Sequence, residues 1–143
     1  MLVKHKVQYQ DIEFDSKDEM MRYIDLCDRQ KRGEISCLHR QVSFLLIPRQ
    51  SKMVVKHLKT KDKTVEKFLE NPAIYTCDFL YIEDGVYVSE DVKSTFTKGD
   101  KSYVLRRKMM VKKLQDHNHR GNGQWIFREY EIQRKGKIKI IDR

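Results

Sequence analysis

Asp78, Asp91 and Lys93 are the residues of this chain best suited to do chemistry, because the stretch that holds them reads as a hairpin. Tyr75-Thr-Cys-Asp-Phe-Leu-Tyr-Ile-Glu83 and Val86-Tyr-Val-Ser-Glu-Asp-Val-Lys93 are apolar, aromatic-rich runs on either side of Asp84-Gly85, a dipeptide that suits a type I′ turn. With those two residues in the turn, Glu83 faces Val86 and Asp78 faces Asp91. Strand side chains alternate between faces, so Thr76, Asp78, Asp91 and Lys93 share one face while Phe79, Val88 and Val92 line the other. Directly opposed residues have Cβ atoms roughly 5 Å apart, where like charges are destabilising. Folding alone therefore gives no reason for the aspartate pair, whereas a divalent cation would. Hard cations such as Mg²⁺ bind a few carboxylates plus water and phosphate oxygens. A lysine beside them can orient a water and steady charge developing on a phosphoryl group. The same residues also admit a solvated hairpin face on which Asp, Lys and Asp compensate one another.

The elements that must position this hairpin fit one α/β domain over 1–143. A chain of 143 residues is large enough for a real core, and its net charge of +9 points to a polyanionic partner without distinguishing DNA, RNA or an anionic membrane. No apolar run approaches the roughly 20 residues of a membrane span, and Met-Leu-Val-Lys-His-Lys at the start lacks a signal-peptide core, so a cytoplasmic protein is expected. Cys27, Cys37 and Cys77 follow no CxxC spacing and read as reduced, partly buried thiols, not as a zinc site.

In order, Val7 to Phe14 suggests a short strand. A helix follows from Ser16-Lys-Asp-Glu19 to near Gly33, with Met20, Tyr23, Ile24 and Cys27 as its apolar stripe. Ser-x-x-Glu is a capping box, which explains Glu19 without function; alternatively Glu19 points at the aspartate pair as a third carboxylate. Ile35 to Pro48 is apolar enough for a buried strand, which Pro48 ends or places on an edge, with Gln41 at its beginning, either a surface residue or one that positions water or phosphate. Residues 49–71 form a lysine-rich insertion, strand or short helix, either a solvated loop or a basic flap over a phosphate backbone. After the hairpin comes a polar loop carrying Lys98, then a helix from Tyr103 to Gln115, begun by Asp100 or Ser102. Its apolar stripe is Tyr103, Val104, Met110, Val111 and Leu114, and Arg106, Arg107, Lys108, Lys112 and Lys113 cover the rest, where a nucleic-acid backbone would run. Asp116 to Gly123 is a loop by composition, and residues 124–142 read as two strands that extend the sheet or form a separate hairpin.

Strand, helix with an early glutamate, strand, hairpin with Asp78 and Asp91-x-Lys93, then helix, resembles the core of the PD-(D/E)XK nuclease superfamily. Phe14-Asp-Ser-Lys-Asp-Glu19 with Arg22-Tyr23, Gly33-Glu-Ile35, Gln41, Tyr75-Thr-Cys-Asp-Phe79, Glu90-Asp-Val-Lys93 and Tyr103 with Lys108 is similar to a family of small phage proteins. That family is related in fold to endonuclease I type junction resolvases and transposon-end nucleases. The resemblance covers about residues 8–115 and departs at Cys77, where the superfamily has proline. It implies a mixed central sheet flanked by helices, with a C-terminal β extension. It also implies Mg²⁺ or Mn²⁺ held by Glu19, Asp78, Asp91 and the Val92 carbonyl, Lys93 as catalytic lysine, and DNA phosphodiester hydrolysis. By analogy the substrate is branched phage DNA in the host cytoplasm, and the enzyme a homodimer with no small-molecule cofactor. A catalytically inactive nucleic-acid-binding or host-interaction protein, and a sequence-specific or nicking endonuclease, are the alternatives. Glu90, adjacent to Asp91, points by parity to the opposite face and is not assigned to metal.

Overall fold

The computed structural model describes residues 5–95, 99–121 and 123–143. Asp84 and Gly85 both take the left-handed φ a type I′ turn needs, 50° and 77°. The strands they join, β6 (Ala73–Glu83) and β7 (Val86–Ser94), pair antiparallel in the expected register, Glu83 opposite Val86 and Phe79 opposite Glu90. Around this hairpin lies a five-stranded mixed sheet in the order β3 (Ser36–Ile47), β6, β7, β8 (Gln124–Ile132) and β9 (Ile138–Asp142). One helix covers each face. Leu26 of α1 (Lys17–Lys31) packs on Phe79, Tyr81 and Val88, while Tyr103, Met110 and Leu114 of α2 (Lys101–His119) pack on Tyr75, Cys77 and Phe127.

Because β8 runs parallel to β7, the chain must cross over between them, and α2 is that crossover. The C-terminal strands are thus not an appendage: β8 lies inside the sheet and buries Phe127 completely. Helix α2 is capped by the Asp100 side chain, which accepts from Ser102 N at 2.9 Å, and its inward stripe is the expected one. It continues through Asp116–His119, which composition had placed in a loop. Asn118 explains the extension, since its side chain donates to Trp125 O at 2.9 Å and accepts from Trp125 N at 2.8 Å, tying the last turn to the start of β8.

Other departures have local causes. The first strand is a small hairpin of β1 (Val7–Tyr9) and β2 (Ile12–Phe14), turned by Gln10 and Asp11 at φ 47° and 61°, a pair without the glycine that usually marks such turns. β3 is an edge strand, the alternative Pro48 allowed, and it is buried on one face only: Val42, Phe44 and Leu46 face the core, and Leu45 and Ile47 are exposed. Gln41 lies in mid-strand. Residues 50–70 settle into strands, β4 (Gln50–His57) and β5 (Asp62–Glu70), which pair only with each other. Cys37 is exposed, whereas Cys77 is buried.

Candidate active site

The site begins where the sheet changes face. In β3, Leu38 and Arg40 lie on the α1 side, Arg40 with its guanidinium 4.2 Å from the Phe14 ring, yet Val42, Phe44 and Leu46 pack on the α2 side. In β6, Phe79 and Tyr81 face α1 while Tyr75 and Cys77 face α2. Strict alternation would keep each set together, so both strands slip by one residue at the level of Gln41 and Asp78. Gln41 has φ 51°, the backbone signature of the slip. Irregularities of this kind re-aim a side chain, and here they turn Asp78 and Gln41 into a cleft of about 480 Å³ that Asp91, Lys93, Thr76 and Arg106 also line.

Within the cleft each aspartate side chain is held by a backbone amide of the opposite strand. Asp78 N donates to Asp91 Oδ1 at 3.3 Å, and Val92 N donates to Asp78 Oδ2 at 2.8 Å. The Tyr75 hydroxyl donates to Asp91 Oδ2. Lys93 Nζ stands 4.0 Å from Asp91 Oδ2 and 4.2 Å from the centre of the Tyr103 ring, which fixes the amine over the cleft. Glu19 is buried in the first turn of α1. Ser16 Oγ accepts from Glu19 N at 3.2 Å, the backbone half of a capping box, but the Glu19 carboxylate takes a hydrogen bond from Gln41 Nε2 at 2.8 Å. Capping and orientation towards the site thus coexist in one residue.

Electrostatically these carboxylates are unsettled. Burial, then the charges of Asp91 and Glu19, pushes Asp78 up to about 8, against the Val92 amide and Lys93, which pull it down. Burial raises Asp91 too, opposed by Lys93 and Tyr75, and burial and Asp15 raise Glu19. Among the described residues no three His, Cys, Asp or Glu side chains lie close enough to hold one metal ion between them. The donor set is nevertheless all hard oxygen, and Asp78 and Asp91 fit an ion such as Mg²⁺, which takes one or two carboxylates and keeps several waters. A strand residue's N–H and C=O point to the same edge, so the Val92 carbonyl opens towards Asp78, whose side chain the Val92 amide already holds.

Glu90 points away from the cleft, as strand parity predicts, and most of the basic helix does not reach it. Glu90 is fully buried on the opposite face, gripped by Arg22 through Nε and NH2 at 2.9 and 2.7 Å and by the Tyr81 hydroxyl at 2.7 Å. The α1 stripe is correspondingly polar: Glu19, Arg22 and Leu26 are its buried positions, and Met20, Tyr23, Ile24 and Cys27 are only half-buried. Arg107 lies 3.7 Å from buried Glu129, beneath Tyr103. Lys108, Lys112 and Lys113 line a separate, larger cavity of about 710 Å³ with Trp125 and Phe44, so only Arg106 of the basic helix borders the carboxylates. Lys98 lies outside the described residues. No spacing in the sequence marks Tyr75 as the partner of Asp91, or Asp15 as a residue lining the cleft.

A family model described as "Protein of unknown function (DUF1064)" matches residues 3–134, and the chain belongs to that family. No curated protein and no solved structure matches it. Among the described residues no helix is long and apolar enough to cross a membrane.

Proposed function

We propose that this member of the DUF1064 family is a Mg²⁺- or Mn²⁺-dependent endodeoxyribonuclease that hydrolyses phosphodiester bonds in branched or recombining phage DNA, working in the host cytoplasm. The observation that carries the reading is the aspartate pair: Asp91 is buried and Asp78 half-buried, Asp91 accepts from the Asp78 amide and Asp78 from the Val92 amide, and a single lysine stands beside them, where the two strands change face. In this reading Asp78 and Asp91 would hold the ion directly, with the Val92 carbonyl as a further oxygen donor and Glu19 acting on its water shell, and such an ion would neutralise charge on the reacting phosphoryl group. Lys93 donates a hydrogen bond to the same group or to the attacking water. Gln41 keeps the Glu19 carboxylate turned to the cleft, and Tyr75 keeps Asp91 from rotating. Arg106 at the rim meets the DNA backbone.

A homodimer suits this substrate because the two strands of a junction need two sites. Leu45, Ile47 and Ile74, exposed together on the β3–β6 ribbon, offer an apolar patch for a second copy.

The test is cleavage of a labelled four-way junction and its matched linear duplex, each with Mg²⁺, Mn²⁺ or EDTA. The wild type is expected to cut with either metal and to prefer the junction. Asp78→Ala is expected to lose cutting by roughly 10³-fold, the scale of removing one charge-stabilising group, while keeping junction affinity. A wild type that binds both DNAs and cuts neither with any metal would overturn the catalytic assignment and favour a binding protein.

A further inference from the structure

The hairpin of β4 and β5 carries a second charge pattern that folding does not explain. Its register sets Lys52 directly opposite Lys67, Val54 opposite Val65, and Lys56 opposite Lys63. These six side chains share one face, since positions two apart along a strand point the same way. Two like-charged pairs thus sit where cross-strand repulsion is felt most. None of the four lysines has an ion-pair partner among the described residues. The hairpin's carboxylates are spent elsewhere: Asp62 holds His57 and Glu66 holds Arg49 on the other face, and Glu70 pairs with Gln50 at the base, beyond a register shift.

The lysine face is also built to hold its shape. Val54 and Val65 are the only half-buried residues of the two strands, although β4 and β5 pair with nothing else. The four lysines flank these valines on the same face, and their own positions are exposed. The two lysine pairs are four positions apart along each strand, about 13 Å at a strand's rise. A B-form duplex presents one phosphate charge per roughly 1.7 Å of axis, and its major groove admits a two-stranded ribbon.

We propose that this hairpin is a DNA arm, whose Lys52, Lys56, Lys63 and Lys67 neutralise phosphates of duplex DNA outside the cleft, independently of sequence. The inference rests on the nuclease reading only for its choice of polyanion, and its test is made in EDTA so that the two fail separately.

The experiment measures binding of a 30-bp duplex by anisotropy across 50–200 mM salt. It compares wild type with Lys52→Gln/Lys56→Gln/Lys63→Gln/Lys67→Gln and with a control that loses the same charge elsewhere, Lys31→Gln/Lys135→Gln/Lys137→Gln/Lys139→Gln. The arm variant is expected to lower the slope of log affinity against log salt by about 3 to 4, so that wild type loses roughly 100-fold more affinity than the variant over that range. The control is expected to keep the wild-type slope. Melting of the arm variant is expected at or above the wild-type temperature, because repulsion is removed, and this separates a binding defect from a folding one. An unchanged slope in the arm variant, an equal fall in the control, or a loss of binding to phosphatidylserine vesicles with none to the duplex would overturn the proposal.

Discussion

Glu90 and Asp91 are neighbours in β7, and the sheet sends them to opposite electrical environments. On the α1 face Glu90 meets the bidentate guanidinium of Arg22, and the same lattice continues through Tyr81 and Arg128 to Glu83 and Asp142. Each of these carboxylates has an arginine. On the α2 face Asp91 has a tyrosine, an amide and a lysine at 4.0 Å, and it faces Asp78 across the hairpin. Negative charge on the first face is matched within the protein, whereas on the second Glu129 has Arg107 and Arg143 and the charge of the Asp78–Asp91 pair is left over. The residue types are the same, so burial of a carboxylate is not itself a mark of function. What marks the Asp78–Asp91 pair is that, among the described residues, a lysine and no arginine forms its ion pair.

The comparison is broken most strongly by removing Arg22. Arg22→Ala leaves Glu90 wholly buried and unmatched, and the expected cost is about 3–5 kcal/mol in denaturant unfolding. The double change Arg22→Leu/Glu90→Leu is expected to recover most of that loss, because apolar side chains of similar volume often replace a buried ion pair at little cost. A loss below about 1 kcal/mol in the single variant would mean that the fold does not depend on the Arg22–Glu90 pair.

Much of this division could be read from the residues. Asp84-Gly85 set the hairpin register, and strand parity then sent Glu90 and Asp91 apart. The α2 stripe followed from helical spacing, as did the mixed α/β class from the order of strands and helices. The polar face of α1 was not legible, because apolar periodicity prefers Met20, Tyr23, Ile24 and Cys27, and only Glu90 arriving from sequence position 90 makes Arg22 a core residue. The slip at Gln41 was hidden for a similar reason. A non-glycine residue at φ 51° carries no local signal, and its place is set by strand pairing across the sheet. The lysine pairs of β4 and β5 became visible only once their register was known, since in sequence they are an ordinary basic insertion.

Asp78→Asn sharpens the contrast from the other side, with a smaller effect. The Asp78 carboxyl is raised in the folded chain, so its contribution to stability is complete below the ordinary aspartate pKa and is lost as pH rises through about 8. In EDTA, wild type is therefore expected to lose stability relative to Asp78→Asn between pH 5 and pH 9, by on the order of 1 kcal/mol, the scale of an opposed like-charge pair. Adding Mg²⁺ or Mn²⁺ at pH 8 is expected to raise the wild-type melting temperature and to leave that of the variant nearly unmoved. Parallel pH profiles for the two proteins would show that the aspartates are matched after all.

The smallest effect has the opposite sign. Burial alone would raise Glu83, but the hydrogen bonds of Arg29 and Arg128 outweigh it and hold the carboxyl below its usual range. A lowered carboxylate stabilises the fold above its unfolded pKa and stops doing so as pH falls through its folded value. Glu83→Gln is therefore expected to cost roughly 0.5 kcal/mol at pH 7, discounted for a partly exposed pair, and the gap to wild type is expected to close near pH 3. Unfolding curves for the two variants at pH 3, 5, 7 and 9 thus give crossing trends, with wild type gaining on Glu83→Gln as acid is removed while it falls behind Asp78→Asn. If Glu83→Gln followed the trend of Asp78→Asn, the two faces of β7 would differ in what they bury but not in how their charge is held, and the case for a cation at the second face would lose its electrostatic basis.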